Sequence, residues 1–339
     1  MPRDAAPVSV IIPAFNAAKS IERALRSVAL QTLPPSEVIV VDDGSSDDTT
    51  AVAKAMQDEF HETQFVVISQ PNKGAGAARN RAVEAATELY VAFLDADDEW
   101  LPNKLERSMD VLASKNYTLV AHDYMDVTPS GEIHVDCAQR FNEGPDPYTS
   151  LYLKGYIPSI SVVARKEAVL AAGGFDETLR NAQDFDLWLN ILADPITTFT
   201  VFGEPLARYY YTPGGIMSHT ERRITCCVQI AYRYFPALRA RHENAVSILI
   251  RRLVNVYCEA LAVYLGSGKY VRATAMPFRL ANAAIKAGLN PEPTSNHNGT
   301  IPFVVYSVWV IAILGLYLSQ FQHLIDPLMN VLRKAVGLE

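Results

Sequence analysis

Three carboxylates stand within four residues, at Asp95, Asp97 and Asp98, directly after the apolar run 90–94. Such a cluster repels itself. A hard divalent cation relieves the repulsion, because Mg²⁺ and similar ions take oxygen ligands and are held by one or two carboxylates plus substrate phosphates. The competing explanation is a solvated acidic turn that caps the next helix. A second acidic group, Asp42 and Asp43, opens the polar stretch 42–49 after the β-branched run 37–41. It offers a carboxylate to a ligand base or ribose, or it is a turn with a good helix cap. A third cluster, 72–80, places Gly74 and Gly76 before a helix and carries Arg79. Glycines admit close backbone approach, and a helix N-terminus favours anions. A fourth, 183–188, presents Asp184 and Asp186 in a first helical turn. Two residues apart on a helix, these carboxylates point about 200° from each other, so one site uses only one of them. The other turns to solvent or caps the turn, and Asp184 is by itself also a favourable partner for the helix dipole.

These clusters need elements to hold them. Apolar runs at 8–13, 37–41, 65–69 and 90–94 read as buried strands. Amphipathic or helix-forming stretches separate them: Ile21, Leu25 and Val28 share one face, and 49–60 and 77–86 follow the second and third runs. This alternation predicts an α/β fold with a mostly parallel, right-handed sheet. The residues Pro13 to Asn16 and the clusters at 42–49, 72–80 and 95–98 then each fall at a strand's carboxyl end, the edge where open α/β sheets bind ligands. Beyond it, a helix over 102–112, a strand over 119–125, a hairpin turn at 128–131, a short strand over 160–164 and a helix opening at Gln183 are expected. Residues 218–289 read as helical with interleaved arginines, 290–300 as a linker, and 301–318 as an apolar run without charge.

Composition narrows the class. The chain has 339 residues, 49% of them apolar, and a net charge of −7, which argues against nucleic acid as a partner. The four cysteines show neither metal-ligand nor disulfide spacing. No apolar run near the N-terminus is long enough for a signal peptide, so the catalytic part is expected in the cytosol. Three rivals remain at this point. The partial GxGxxG suggests a dinucleotide-binding oxidoreductase, but Arg79 occupies the third glycine position and the segment follows the third strand instead of the first. A nucleotidyltransferase would also use a carboxylate-held metal on a diphosphate. A non-catalytic scaffold would keep the fold alone.

The segments VSVIIPAFN, VVDDGSSDDT, NKGAGAARN, FLDADDEW, GGFDE and QDFDLWL, over roughly 8–211, resemble in order and spacing the family 2 inverting glycosyltransferases of GT-A fold. The resemblance implies transfer of a sugar from a nucleotide-diphosphate donor, a UDP-sugar, to a glycan or lipid-linked acceptor of cell-surface polysaccharide synthesis. It implies that Pro13, Ala14 and Phe15 line the base, that Asp43 bonds its edge, and that Arg79 lies near the diphosphate or base. Asp95 would hold the ribose, Asp97 a Mn²⁺ or Mg²⁺ ion, and Asp184 would be the catalytic base. Two departures stand out: Gln183 replaces a frequent Glu, and Thr212 stands where the family often has a histidine, a role His219 would have to take. The expected organisation is a catalytic domain over 1–218, a helical extension over 219–295, and an apolar segment over 296–339. Through 301–318 the chain is expected to meet a membrane from its cytoplasmic face.

Overall fold

A computed structural model describes residues 5–143, 146–211 and 219–289. The chain divides into two compact units, Met1–Cys226 and Cys227–Glu339. In the first unit the order is β1 (Ala6–Ala14), α1 (Ile21–Ala29), β2 (Pro35–Asp42), α2 (Thr49–Ala55), β3 (Gln64–Ser69), α3 (Ala75–Ala85), β4 (Tyr90–Phe93) and β5 (Glu99–Trp100). It continues with α4 (Lys104–Lys115), β6 (Leu119–Thr128), β7 (Gly131–Val135), α5 (Cys137–Asn142), α6 (Pro147–Lys154), β8 (Val163–Arg165), α7 (Lys166–Ala171), α8 (Gln183–Ile191) and β9 (Phe199–Tyr210).

The strands form one sheet in the order β3-β2-β1-β4-β8-β6-β9-β5, with β7 paired to β6. Strands β1 to β4 are parallel. The chain starts in the middle and winds outward to β3 before returning beside β1 as β4. That reversal creates a crevice between the carboxyl ends of β1 and β4, the place where open sheets take ligands. The parallel arrangement expected from the sequence holds for this half. The other half is mixed, because β8 runs antiparallel to both β4 and β6 while β9 runs parallel to β6.

The core explains why α1 packs where it does. Ile21, Ala24, Leu25 and Val28 are buried against Val8, Val10, Ile12, Val38 and Val40 from the sheet. On the other side an aromatic trio fixes α8 to β4. Phe93 lies 5.4 Å from Phe175 and 5.6 Å from Trp188, centroid to centroid. Trp188 is one turn beyond Asp184, so burying these rings sets the position of the first turn of α8.

Three expectations change. Helix α2 ends at Ala55 and gives way to a short 3₁₀ turn at Gln57–Glu59, instead of running to residue 60. No element was expected over 199–210, yet β9 is the longest strand described, at 12 residues. Gly203 and Pro205 interrupt its apolar pattern, and its register against β6 shifts at His122 and Asp123 to absorb them. With Asp184 in the base's place, Asp186 was expected toward solvent or capping the turn; at 4% exposed it does not face solvent.

The second unit contains α10 (Phe235–Arg241), α11 (Ala245–Gly266) and α12 (Tyr270–Leu289), preceded by α9 (Thr220–Arg233), which crosses the boundary between units. Thr212 and the runs 290–300 and 301–318 lie outside the described residues. No described helix is long and apolar enough to cross a membrane.

Candidate active site

Two loops at the carboxyl ends of β1 and β2 clasp one another. Asn16, in the left-handed region at φ 50°, accepts from Ser46 N at 2.8 Å through Oδ1, and its own N donates to Ser45 Oγ at 2.8 Å. Ala17 N donates to Thr49 Oγ1 at 2.7 Å. Of the residues expected to line a base, Pro13 and Ala14 have buried side chains, while Phe15 is 52% exposed. Phe15 is therefore the ring available for stacking.

Asp43 turns out to organise a loop. Its Oδ1 accepts from Gln70 Nε2 at 2.8 Å and Lys73 N at 2.9 Å, and its Oδ2 accepts from Gly74 N at 2.7 Å. These bonds hold the 70–74 segment against β2 and set the entry to α3. Gly44 is needed for the approach, since a Cβ there would stand 2.8 Å from Asn72 N.

The three carboxylates after β4 have three different fates. Asp95, with 28% of its side chain exposed, forms an ion pair through Oδ1 with Arg79 of α3. Asp97 is half-buried, and its backbone carbonyl accepts from Arg23. Asp98 is 1% exposed and accepts from Tyr210 N at 2.8 Å, tying the end of β9 to the acidic turn. Burial, then the charges of Asp95 and Asp97, push the Asp98 carboxyl well above its ordinary range. The repulsion between these residues is thus relieved in part by the protein itself. Arg79 neutralises Asp95, and Asp98 resists ionisation.

Arg79 is the centre of this arrangement. It is 7% exposed, and its guanidinium sits 5.3 Å from the Phe175 ring. Burial works against its charge, but Asp95, then Asp184 and Asp97, outweigh burial and hold it above its ordinary value. Arg79 therefore lies in the field of carboxylates that the chain supplies from β4 and from α8. The sequence placed it near a diphosphate or base; in the fold it joins the acidic turn to the candidate base.

Asp184 accepts weakly from Ser159 Oγ at 3.5 Å. Burial raises its carboxyl above the usual range, Arg79 and the Phe185 N–H pull it down, and Asp95 adds a smaller upward push. A carboxylate whose charge burial disfavours holds a proton more readily than one in water, the direction that suits a general base. The Gln at 183 has its own reason. Its Nε2 donates to Leu179 O at 2.9 Å and Asp176 O at 3.1 Å, which a Glu oxygen has no proton to do. Gly76 makes room for it, since a Cβ there would meet Gln183 Nε2 at 2.4 Å.

Asn80 was given no role by the sequence. Its Nδ2 donates to Phe175 O at 2.9 Å, and its Oδ1 accepts from Phe175 N at 2.7 Å. It therefore fastens the 173–176 turn beneath Arg79; only its place in a polar run marked it beforehand. His219 is exposed, just before α9. Among the described residues no three His, Cys, Asp or Glu side chains group closely enough to hold a metal ion.

A sheet that reverses at β1/β4, with carboxylates gathered at that crevice, is the GT-A architecture of glycosyltransferases. The fold is shared with TarS of S. aureus, solved in complex with UDP-GlcNAc, at TM-score 0.64 and 20% identity over 83% of this chain and 81% of that one. It is shared also with the mannosyltransferase PcManGT of Pyrobaculum calidifontis, solved with GDP-Man and Mn²⁺, at TM-score 0.57 and 20% identity over 86% and 89%. The family model for glycosyl transferase family 2 matches residues 9–171. TuaG of Bacillus subtilis, named for teichuronic acid biosynthesis, is 32% identical over 62% of this chain and 82% of its own. WfgD of Escherichia coli, named a UDP-Glc:α-D-GlcNAc-diphosphoundecaprenol β-1,3-glucosyltransferase, is 29% identical over 64% of this chain and 82% of its own. The chain belongs to glycosyl transferase family 2 and is a glycosyltransferase, a family whose relatives here include enzymes of cell-surface polysaccharide synthesis. This decides against the oxidoreductase and the nucleotidyltransferase.

Proposed function

We propose that this enzyme moves a sugar from a UDP-linked donor to a hydroxyl of a lipid-linked glycan, at the cytoplasmic face of a membrane, with inversion at the anomeric carbon. The observation that carries the reading is Arg79, buried between the acidic turn after β4 and the candidate base on α8. It couples the residues that would hold the donor to the one that would activate the acceptor. WfgD's name supplies a precedent for a UDP donor and a diphosphoundecaprenol-linked acceptor, and TarS was solved with UDP-GlcNAc.

In this reading the base stacks on Phe15, and Asp43 acts on it through the 70–74 loop that it holds. Asp95, with Oδ1 engaged by Arg79, offers Oδ2 to a ribose hydroxyl. Asp97, half-buried in the acidic turn at the carboxyl end of β4, is the residue that would hold a Mn²⁺ or Mg²⁺ ion. One protein carboxylate together with oxygens of the donor diphosphate and water would suffice to hold such an ion. When bound, such an ion neutralises the departing diphosphate. Asp184 accepts the proton of the acceptor hydroxyl, whose oxygen forms the new bond to the anomeric carbon. The old carbon–oxygen bond breaks, and its electron pair leaves with the nucleoside diphosphate.

The test is a panel of nucleotide sugars with and without Mn²⁺, read as thermal stabilisation and then as turnover. A true donor at a hundred times its Kd adds about 2.7 kcal/mol of stability. Asp97→Ala is expected to lose the Mn²⁺-dependent part. Parent-like turnover by that variant in the presence of metal removes Asp97 from the role.

A further inference from the structure

In α12 two opposite faces are apolar. One is packed: Ala273, Met276, Leu280, Ala283 and Ala287 are all 7% exposed or less. The other lies about half a turn away and carries Val271, Phe278 and Ile285, which are 87%, 77% and 38% exposed. Their spacing of seven residues keeps them on one line, about 21 Å long at 1.5 Å per residue. Exposing three large apolar side chains in a row is costly unless something covers them.

The charges beside that line identify what fits. Arg272, Arg279 and Lys286 each follow a stripe residue by one position and form a parallel row, with Lys269 just before the helix. Between Glu259 and Glu292 there is no acidic residue, although the whole chain carries a net charge of −7. Arg272 and Arg279 lie 6.0 Å and 5.7 Å from the rings of Tyr264 and Tyr257 on α11, so their stems run along the flank of the helix pair. An apolar line edged by a basic row, on a helix too charged to cross a bilayer, is the pattern of a helix lying in a membrane interface.

We propose that the outer face of α12 docks on an anionic lipid surface, with Val271, Phe278 and Ile285 entering the acyl boundary and Arg272 and Lys286 meeting the headgroups. A second protein copy would satisfy the apolar line but would set basic row against basic row. The chain's own 301–318 run has no charge to offer that row. The inference does not depend on the acceptor being lipid-linked.

The test uses the full chain with vesicles of phosphatidylcholine alone or mixed with phosphatidylglycerol, read by co-sedimentation. The parent is expected to bind the anionic vesicles and to release as salt rises. Arg272→Gln with Lys286→Gln should weaken binding by roughly tenfold or more, since a basic residue near such a surface is worth about 1 kcal/mol. Val271→Ser, Phe278→Ser and Ile285→Ser together should weaken it at least as much with melting temperature unchanged, because the three positions are exposed. A Phe278→Trp reporter should shift its emission to the blue on anionic vesicles only. Equal vesicle binding by parent and both variants overturns the proposal, including the case where residues 301–318 alone carry the binding. A stripe variant that turns a dimer into a monomer while vesicle binding persists assigns the face to a second copy. A stripe variant that loses thermal stability while vesicle binding persists assigns it to the chain's own C-terminal segment. Both outcomes also overturn it.

Discussion

Arg79 and Lys104 are both buried basic side chains of the first unit, 7% and 0% exposed, and the fold treats them oppositely. Arg79 meets Asp95 directly and feels Asp184 and Asp97, so its charge is held despite burial. Lys104, on the inner face of α4, has no hydrogen-bond partner for Nζ and lies 3.9 Å from the Trp100 ring centroid. Burial alone drives its ammonium well below the ordinary lysine value. The difference is the company of carboxylates. Where the chain brings acids to a buried base it builds a charged site at the crevice; where it brings none, burial favours the neutral base. A buried charge is evidence of function only when its partners are also placed where a ligand can reach them.

The comparison is sharpened most by Asp184→Asn. A positioned base contributes roughly 10²–10⁴-fold in rate, so kcat should fall by about that factor while donor affinity stays near the parent value. Single-turnover rates and donor titration separate the two. Loss of donor binding with turnover per bound donor intact would move the role to another residue.

Next in size is Arg79→Gln. Removing one partner of a buried ion pair costs about 3–5 kcal/mol, and less here because Asp95 retains solvent contact; about 2 kcal/mol of stability is expected. The more telling readout is pH. Burial raises the Asp184 carboxyl and Arg79 lowers it. The base works ionised, so turnover climbs with pH through its folded value. Without Arg79 that value rises further, and the acid limb of the kcat profile should move to higher pH. A limb that stays in place would mean Arg79 braces the fold without tuning the base.

What the sequence made legible follows from where each partner sits along the chain. Strands β1 to β4 are short uninterrupted apolar runs, each ended by a polar cluster, and the alternation with helices fixes their parallel order. Strand β9 was hidden because Gly203 and Pro205 break its pattern and its partner β6 begins 80 residues earlier, Leu119 pairing with Phe199. The acidic triplet was visible as a cluster, but its division of labour was not. Asp95 is decided by Arg79, 16 residues before it, and Asp98 by Tyr210, 112 residues after it. Helical geometry offered Asp186 solvent or a cap, and solvent is excluded because α8 packs along most of its circumference: Phe185 to Leu189 are all buried. Lys104 looked like an ordinary residue of a helix start. Nothing in its neighbours along the chain says that α4 turns it inward over Trp100.

The smallest effect, and the sharpest contrast with Arg79, is expected at Lys104. The lysine shares its buried surroundings with Ser108 Oγ and His122 Nε2, which also lack hydrogen-bond partners, and burial pushes His122 down to about 3. A lysine value depressed by folding means that, between the folded value and 10.5, only the unfolded chain binds the proton. Stability therefore rises with pH across that window and levels off above it. Lys104→Met keeps the volume and removes the ionisable group, so this slope should flatten. Burying an amine without a hydrogen-bond partner costs stability, and an apolar side chain of similar size removes that cost. A gain of about 1 kcal/mol, or about 2–4 °C in Tm for a domain of this size, is the expected result near neutral pH, with turnover unchanged. Thermal melts of parent and variant from pH 6 to pH 10 measure both quantities. If the variant is instead less stable and the parent's slope is absent, the Lys104 ammonium keeps its charge against the face of Trp100, and the contrast with Arg79 fails.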